Sequence, residues 1–178
     1  ICCSRSFAQN CSDADAVASA LAVHAAQAAR RLRQQHCRAL AVSVFVLFNT
    51  FNPRQKQHVI HATTVFKYAT ADTARITHAA CEMMRARFVR GVGYKKAGII
   101  LSELVPEGTP EPLDLFDTPS PEQERREKLM QVLDSLTSRY GVSPLTTAVS
   151  TLSSGAAMRR ERLSRCYTTR IADVLTAN

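Results

Sequence analysis

The sequence predicts an α+β fold of β-α-β-β-α-β order. A four-stranded, largely antiparallel sheet is covered on one face by two helices, and a small, mostly helical extension follows. Three observations predict it. Two stretches carry apolar residues at helical spacing, Val17, Leu21, Ala25, Ala28 and Leu32 in one and Ile76, Ala80, Met83 and Met84 in the other. Four other runs alternate or are rich in β-branched residues, as strands are. The order in which these six pieces follow one another lays both helices on one side of the sheet and leaves the other side open.

Ile1 to Ala8 reads as a short first strand. Ser12 or Asp13 can cap the helix from Asp15 to about Gln35, because either side chain accepts from an N–H that the helix leaves without a partner. Arg38 to Asn49 is almost continuously apolar and predicts a central strand; the loop "NTFNPRQKQ" ends it. His58 to Tyr68 alternates, with Ile60, Ala62, Thr64 and Phe66 on one side. Thr70 or Asp72 caps a second helix reaching about Arg90, where Gly91 and Gly93 stop it. Tyr94 to Val105 is the last strand. Glu122 to Tyr140 predicts a third helix with Leu129, Val132, Leu133 and Leu136 as its stripe, and "GVSPLTTAVSTLSSG" a turn, a short strand and a small-residue loop.

Three regions follow: 1–105, a tether at 106–121, and an extension at 122–178. Charge divides them in the same way. Residues 1–100 carry 14 bases against 4 acids, 101–124 carry seven acids and no base, and 125–178 carry 9 bases against 4 acids. Two basic bodies joined by an acidic tether, with net charge +8, point to a polyanion partner, nucleic acid first. No apolar run approaches the roughly 20 residues that a membrane span needs, so no membrane is expected. The opening at Ile1, inside a predicted strand, suggests a piece of something longer.

Cysteines at 2, 3, 11, 37, 81 and 166 form no C-x-x-C, and the five histidines are not paired at metal spacing. Thiols in a reducing cytosol fit better than a metal site. No local signature supports a catalytic pair, so no residue is assigned a catalytic role and no cofactor is expected.

The tether stretch "EPLDLFDTPSP" holds Leu113, Leu115 and Phe116 among prolines at 106, 110, 112, 119 and 121. Proline removes amide donors and fixes φ, so neither a helix nor a central strand fits there. The apolar knot is either a clip onto the chain's own body or a peptide offered to another protein.

Five segments, "ICCSRSF", "YKKAGIILSEL", "LDLFD", "MRRERLS" and "YTTRIADVL", occur here in the order found in UmuC-type proteins, the catalytic subunits of bacterial DNA polymerase V. Over nearly its whole length the chain resembles the C-terminal part of such a Y-family translesion polymerase. The resemblance implies that 1–105 is the little finger domain, which grips template–primer duplex through the open face of its sheet. The role implied is error-prone synthesis in the SOS response, in the cytoplasm at the nucleoid. The Mg²⁺-binding carboxylates of that DNA-directed DNA polymerase lie on a palm domain upstream of Ile1, so this fragment is expected to bind DNA and catalyse nothing.

A sheet that grips duplex without reading sequence needs donors aimed at phosphates. Ser4, Arg5 and Ser6 supply them on the first strand. Alternation puts the two hydroxyls on the face opposite the guanidinium, so either Ser4 and Ser6 or Arg5 faces DNA. Lys95 and Lys96 open the last strand and are assigned to phosphate contact. Lys67 is a further candidate, with Arg54 and Lys56 below it. Arg85, Arg87 and Arg90 read instead as the solvated face of the second helix.

In the family a short peptide after the little finger, usually Gln-Leu-x-Leu-Phe, docks on the sliding clamp. Here Leu113, Asp114, Leu115 and Phe116 follow Pro112, which stands where glutamine is usual. The resemblance also implies the processed UmuD dimer and RecA as partners, with Arg159, Arg160, Arg162, Arg165 and Arg170 as unplaced contacts. A free-standing adaptor that bridges nucleic acid and a protein is the alternative from another class.

Overall fold

The computed structural model of the chain describes residues 1–50, 56–110, 121–140, 145–151, 165–167 and 170. Its elements are β1 (Cys2–Cys11), α1 (Ala14–Gln34), β2 (Cys37–Phe48), β3 (Ile60–Thr70), α2 (Thr73–Arg87), β4 (Tyr94–Pro106), α3 (Pro121–Tyr140) and α4 (Ala148–Thr151). The strands form one sheet in the order β1-β4-β2-β3, and all three pairings are antiparallel. The chain therefore adopts the predicted α+β architecture, in the predicted β-α-β-β-α-β order.

Side-chain chemistry sets the helix ends. Asp13 caps α1, its carboxylate accepting from the Asp15 and Ala16 amides at 3.2 Å each. His36 takes φ +51, and its amide donates to the Arg33 carbonyl at 2.9 Å. A left-handed residue closes a helix in this way. Asp72 caps α2 by accepting from the Ala74 amide at 2.7 Å. α2 stops at Arg87, short of the expected Arg90. Phe88 turns extended and packs on Tyr94 with ring centroids 5.3 Å apart, and the Val89 amide donates to the Tyr94 hydroxyl at 3.2 Å. A core contact, rather than Gly91 and Gly93, ends this helix.

The core lies between the sheet and α1 and α2. Val17, Leu21, Ala25, Ala28 and Leu32 of α1 are fully buried, as are Ile76, Ala80 and Met84 of α2. Val42, Val44, Val46, Ile60, Ile99 and Leu101 meet them from the strands. Each such aliphatic side chain contributes about 1.5–3 kcal/mol relative to exposure. The alanines of α1 let the helix sit close to its neighbours.

The extension departs from expectation in two places. Of the predicted inward stripe of α3, Leu129 and Val132 are both 54% exposed and Leu133 and Leu136 are half-buried, while Met130 and Thr137 are buried. Ion pairs, and not only apolar contacts, tie this helix to the body. Arg33 of α1 binds Asp134, and Arg126 reaches the Asp72 carboxylate at 3.2 Å. The short strand expected after α3 is instead the helical turn α4. Val149 packs against the core, and the Ser19 hydroxyl donates to the Ser150 carbonyl at 3.0 Å. Tertiary contact with α1 overrides the local strand preference of its Thr and Val residues.

Candidate nucleic-acid interface

Strand alternation makes the uncovered face of the sheet readable from the core. Cys3 and Phe7 are buried against the helices, so Ser4 and Ser6 of β1 point outward. Ala97, Ile99 and Leu101 are buried, so Lys96, Gly98, Ile100 and Ser102 of β4 point outward. By the same parity Ser43, Phe45 and Leu47 of β2 and His61, Thr63 and Val65 of β3 face out. None of these outward positions is Asp or Glu.

Register turns these positions into rows that run across the sheet. Cys2, Ile100, Ser43 and Thr63 form one row, Ser4, Gly98, Phe45 and His61 the next, and Ser6, Lys96 and Leu47 a third. The Ser43 and Thr63 hydroxyls are 2.7 Å apart and hydrogen-bonded. Among the described residues, the outward positions thus combine hydroxyls, a histidine, Lys96 at the β1–β4 side and, by the same alternation, Lys67 on β3 with apolar Phe45, Leu47, Val65 and Ile100, and none of them is a carboxylate.

Of the predicted contacts, the structure brings Ser4, Ser6 and Lys96 together. Ser6 stands directly opposite Lys96, and Ser4 opposite Gly98. Arg5 lies on the other side, between Cys3 and Phe7 in the strand and beside His24 of α1. Burial, and then the Arg5 charge, hold the His24 pKa below its ordinary value. The hydroxyl pair, not the guanidinium, is on the open face.

Lys95 does different work from Lys96. Its ammonium donates to the Phe7 carbonyl at 2.8 Å and the Ala8 carbonyl at 3.3 Å. These bonds fall where the β1–β4 register breaks, between Ser6 and Cys11, so Lys95 ties a widened strand pair together. Lys67 lies on β3, the far edge from β1, with its ammonium 5.1 Å from the Tyr68 ring centroid. Three strand spacings of about 4.8 Å separate it from the Ser4–Ser6 strand. Lys56 is exposed ahead of β3. Arg85 pairs with Asp15 at 3.0 Å on the helical side. Arg54, Leu113, Asp114, Leu115, Phe116, Arg159, Arg160 and Arg162 lie outside the described residues.

Sequence reasoning missed Phe45, Gly98, Ser43, Thr63 and His61. The signal was the parity of β2: once Val42, Val44 and Val46 face the core, the odd positions must face out. A nearly continuous apolar strand hides that parity.

The described residues contain no group of three or more His, Cys, Asp or Glu able to hold a metal ion. Cys3, Cys11 and Cys81 have thiols pushed up chiefly by burial, so they are held protonated rather than as nucleophiles. A pocket of about 580 Å³ lies between α3 and the ends of α1, α2, β2 and β3, lined by none of the outward sheet residues named above. Its Arg33 and Arg126 are engaged by Asp134 and Asp72. No helix among the described residues is long and apolar enough to cross a membrane.

Residues 1–115 match the family model of the impB/mucB/samB family C-terminal domain, and residues 127–177 match a domain of unknown function. Protein UmuC of Salmonella typhimurium is 34% identical over 175 residues, 98% of this chain and 41% of that protein. Protein ImpB of Salmonella typhimurium is 35% identical over 98% of this chain and 40% of its own length. Protein SamB of the same organism is 37% identical over 99% of this chain and 41% of its own length. The chain therefore spans about two fifths of the curated relatives it matches. A looser likeness is to a chain in a complex of beta-clamp processivity factor and little finger domain of PolIV, with TM-score 0.45 and 15% identity over 65% of this chain and 97% of that one.

Proposed function

The chain belongs to the impB/mucB/samB C-terminal domain family, and from that premise we propose that it is the DNA-gripping and clamp-tethering region of an error-prone translesion polymerase of the SOS response. The observation that carries this reading is the set of outward sheet positions, free of Asp and Glu among the described residues, with Ser6 and Lys96 directly opposed and Ser4 beside them. Hydroxyls and an ammonium aimed away from a rigid sheet suit phosphate oxygens and read no base. A grip of that kind suits a polymerase, which must hold every sequence it copies.

In this reading Ser4, Ser6 and Lys96 contact the backbone of template–primer duplex, and Lys67 contacts it from the far edge. Arg5 and Lys95 support the edge strand from within. Leu113, Asp114, Leu115 and Phe116 form the peptide for the sliding clamp, and the processed UmuD dimer and RecA are the further partners. In this reading catalysis and its Mg²⁺ ions are supplied by a palm domain that is not part of residues 1–178. The work is done in the cytoplasm at the nucleoid.

Titration with a short duplex at several salt concentrations tests the reading. Binding that weakens log-linearly with salt, and equally for unrelated sequences, supports backbone recognition. Absence of binding at low salt removes it.

A further inference from the structure

Gly98 sits in the middle of the open face, yet it is buried. A Cβ added there would stand 2.3 Å from Phe45 Cζ, 2.8 Å from Phe45 Cε1 and 2.4 Å from the Cβ of Ser4. Those distances are far inside van der Waals contact. The Phe45 ring therefore lies across β4 in a notch that only glycine leaves, with Ser4 on its far side. Lys96, one outward position along β4, places its ammonium 5.8 Å from the centroid of the same ring.

These contacts solve a problem that the open face poses. A lysine on a four-carbon stem samples many rotamers, and ordering it for a phosphate costs entropy. An aromatic face attracts an ammonium through its quadrupole at such a distance. The ring packs over the Gly98 backbone, so the attraction favours those Lys96 rotamers that lie over it, on the strand pair that sets Lys96 opposite Ser6.

We propose that Phe45, seated in the Gly98 notch, is a positioning residue for DNA binding: it holds the Lys96 ammonium beside Ser4 and Ser6 so that the three act on one stretch of phosphate backbone. The inference rests on the DNA-gripping reading and adds a residue and a mechanism to it. Phe45 itself need not touch the duplex.

The test compares Phe45→Leu, which keeps apolar bulk and loses the π face, with Phe45→Tyr, which keeps both. Duplex affinity is measured in the Lys96 and Lys96→Ala backgrounds, at a temperature well below every melting midpoint. The Lys96 side-chain proton shifts are followed by NMR. Phe45→Leu should weaken duplex binding by about two- to five-fold, and Phe45→Tyr should match the parent. Phe45→Leu should add nothing once Lys96 is alanine. The Lys96 methylene protons should carry an upfield ring-current shift that Phe45→Leu abolishes. Should Phe45→Leu fold poorly, Gly98→Ala displaces the ring with Phe45 still present and should give the same loss of shift. Equal losses in both Lys96 backgrounds, or an unshifted Lys96 in the parent, overturn the proposal. If Lys96 is shifted but the parent binds no duplex, the DNA reading has failed and the positioning role falls with it.

Discussion

Arg33 of α1 and Asp134 of α3 form a two-pronged ion pair, with Nε 2.6 Å from Oδ2 and Nη2 2.8 Å from Oδ1. The same guanidinium donates to the Ala71 carbonyl at 2.7 Å and the Thr73 hydroxyl at 3.1 Å. One side chain thus joins the extension, the end of α1 and the start of α2. Both partners are largely covered, with side chains 16% and 29% exposed. Fork-to-fork geometry of this kind is stronger than a surface pair.

Removing either partner should loosen α3, but not equally. Asp134→Ala should cost about 1.5–3 kcal/mol, the scale of hydrogen bonds to a charged group. Arg33→Ala should cost more, because it also strips the Ala71 and Thr73 contacts. Urea unfolding checks the order, and amide exchange in α3 should rise in both variants. Equal midpoints for the two would show that the α2 contacts contribute nothing.

Asp72 serves two roles that substitution can separate. It caps α2 and accepts from Arg126. Asp72→Asn keeps a capping oxygen and should be mild. Asp72→Ala loses the cap and should cost about 1 kcal/mol more in thermal unfolding. Arg126 is 44% exposed on its side chain, so Arg126→Ala should shift the midpoint little.

His24 makes stability depend on pH in a definite direction. Its folded pKa lies below the ordinary 6.5, first because it is buried and second because of the Arg5 charge; a Gln27 side-chain hydrogen bond opposes both. The unfolded chain therefore binds the proton more readily. Stability is full above pH 6.5 and falls as acid carries the protein down through the folded pKa. A His24→Leu variant should flatten that part of the curve in melts from pH 7.5 to 5. An unchanged slope would assign the loss to other groups.

The proposed clamp role of Leu113–Phe116 gives a prediction independent of the sheet. A Leu115→Ala, Phe116→Ala double variant should lose sliding-clamp binding by about 30-fold or more, the scale of truncating interface anchors. Its duplex affinity should match the parent. Clamp affinity that survives the double change would assign Leu115 and Phe116 to an internal clip.

Most of the sheet and both covering helices were legible in the sequence, because Val17, Leu21 and Leu32, or Ile76 and Met84, fall on one helical face and stay buried. The choice between Arg5 and the pair Ser4 and Ser6 was not. Alternation gives parity alone, and only the burial of Cys3 and Phe7 decides which parity faces the helices. The face of α3 was misread in part, at Leu129 and Val132, for a related reason. Periodicity selects the most apolar stripe, whereas Arg33 and Asp72 draw in the face that carries Asp134 and Arg126. The notch at Gly98 was invisible because it depends on a residue two strands of sequence away, Phe45.

The salt dependence of duplex binding, compared between the parent, Lys96→Ala and Lys95→Ala, decides whether Lys96 grips phosphate from the open face of the sheet. Each lysine that contacts a phosphate should contribute about one unit to the log–log slope. Lys96→Ala should lower the slope by about that much across unrelated sequences. Lys95→Ala, which loses bonds to the Phe7 and Ala8 carbonyls, should lower thermal stability and leave the slope nearly unchanged. A parent slope near zero, or a Lys96→Ala curve that overlays the parent, would contradict the account.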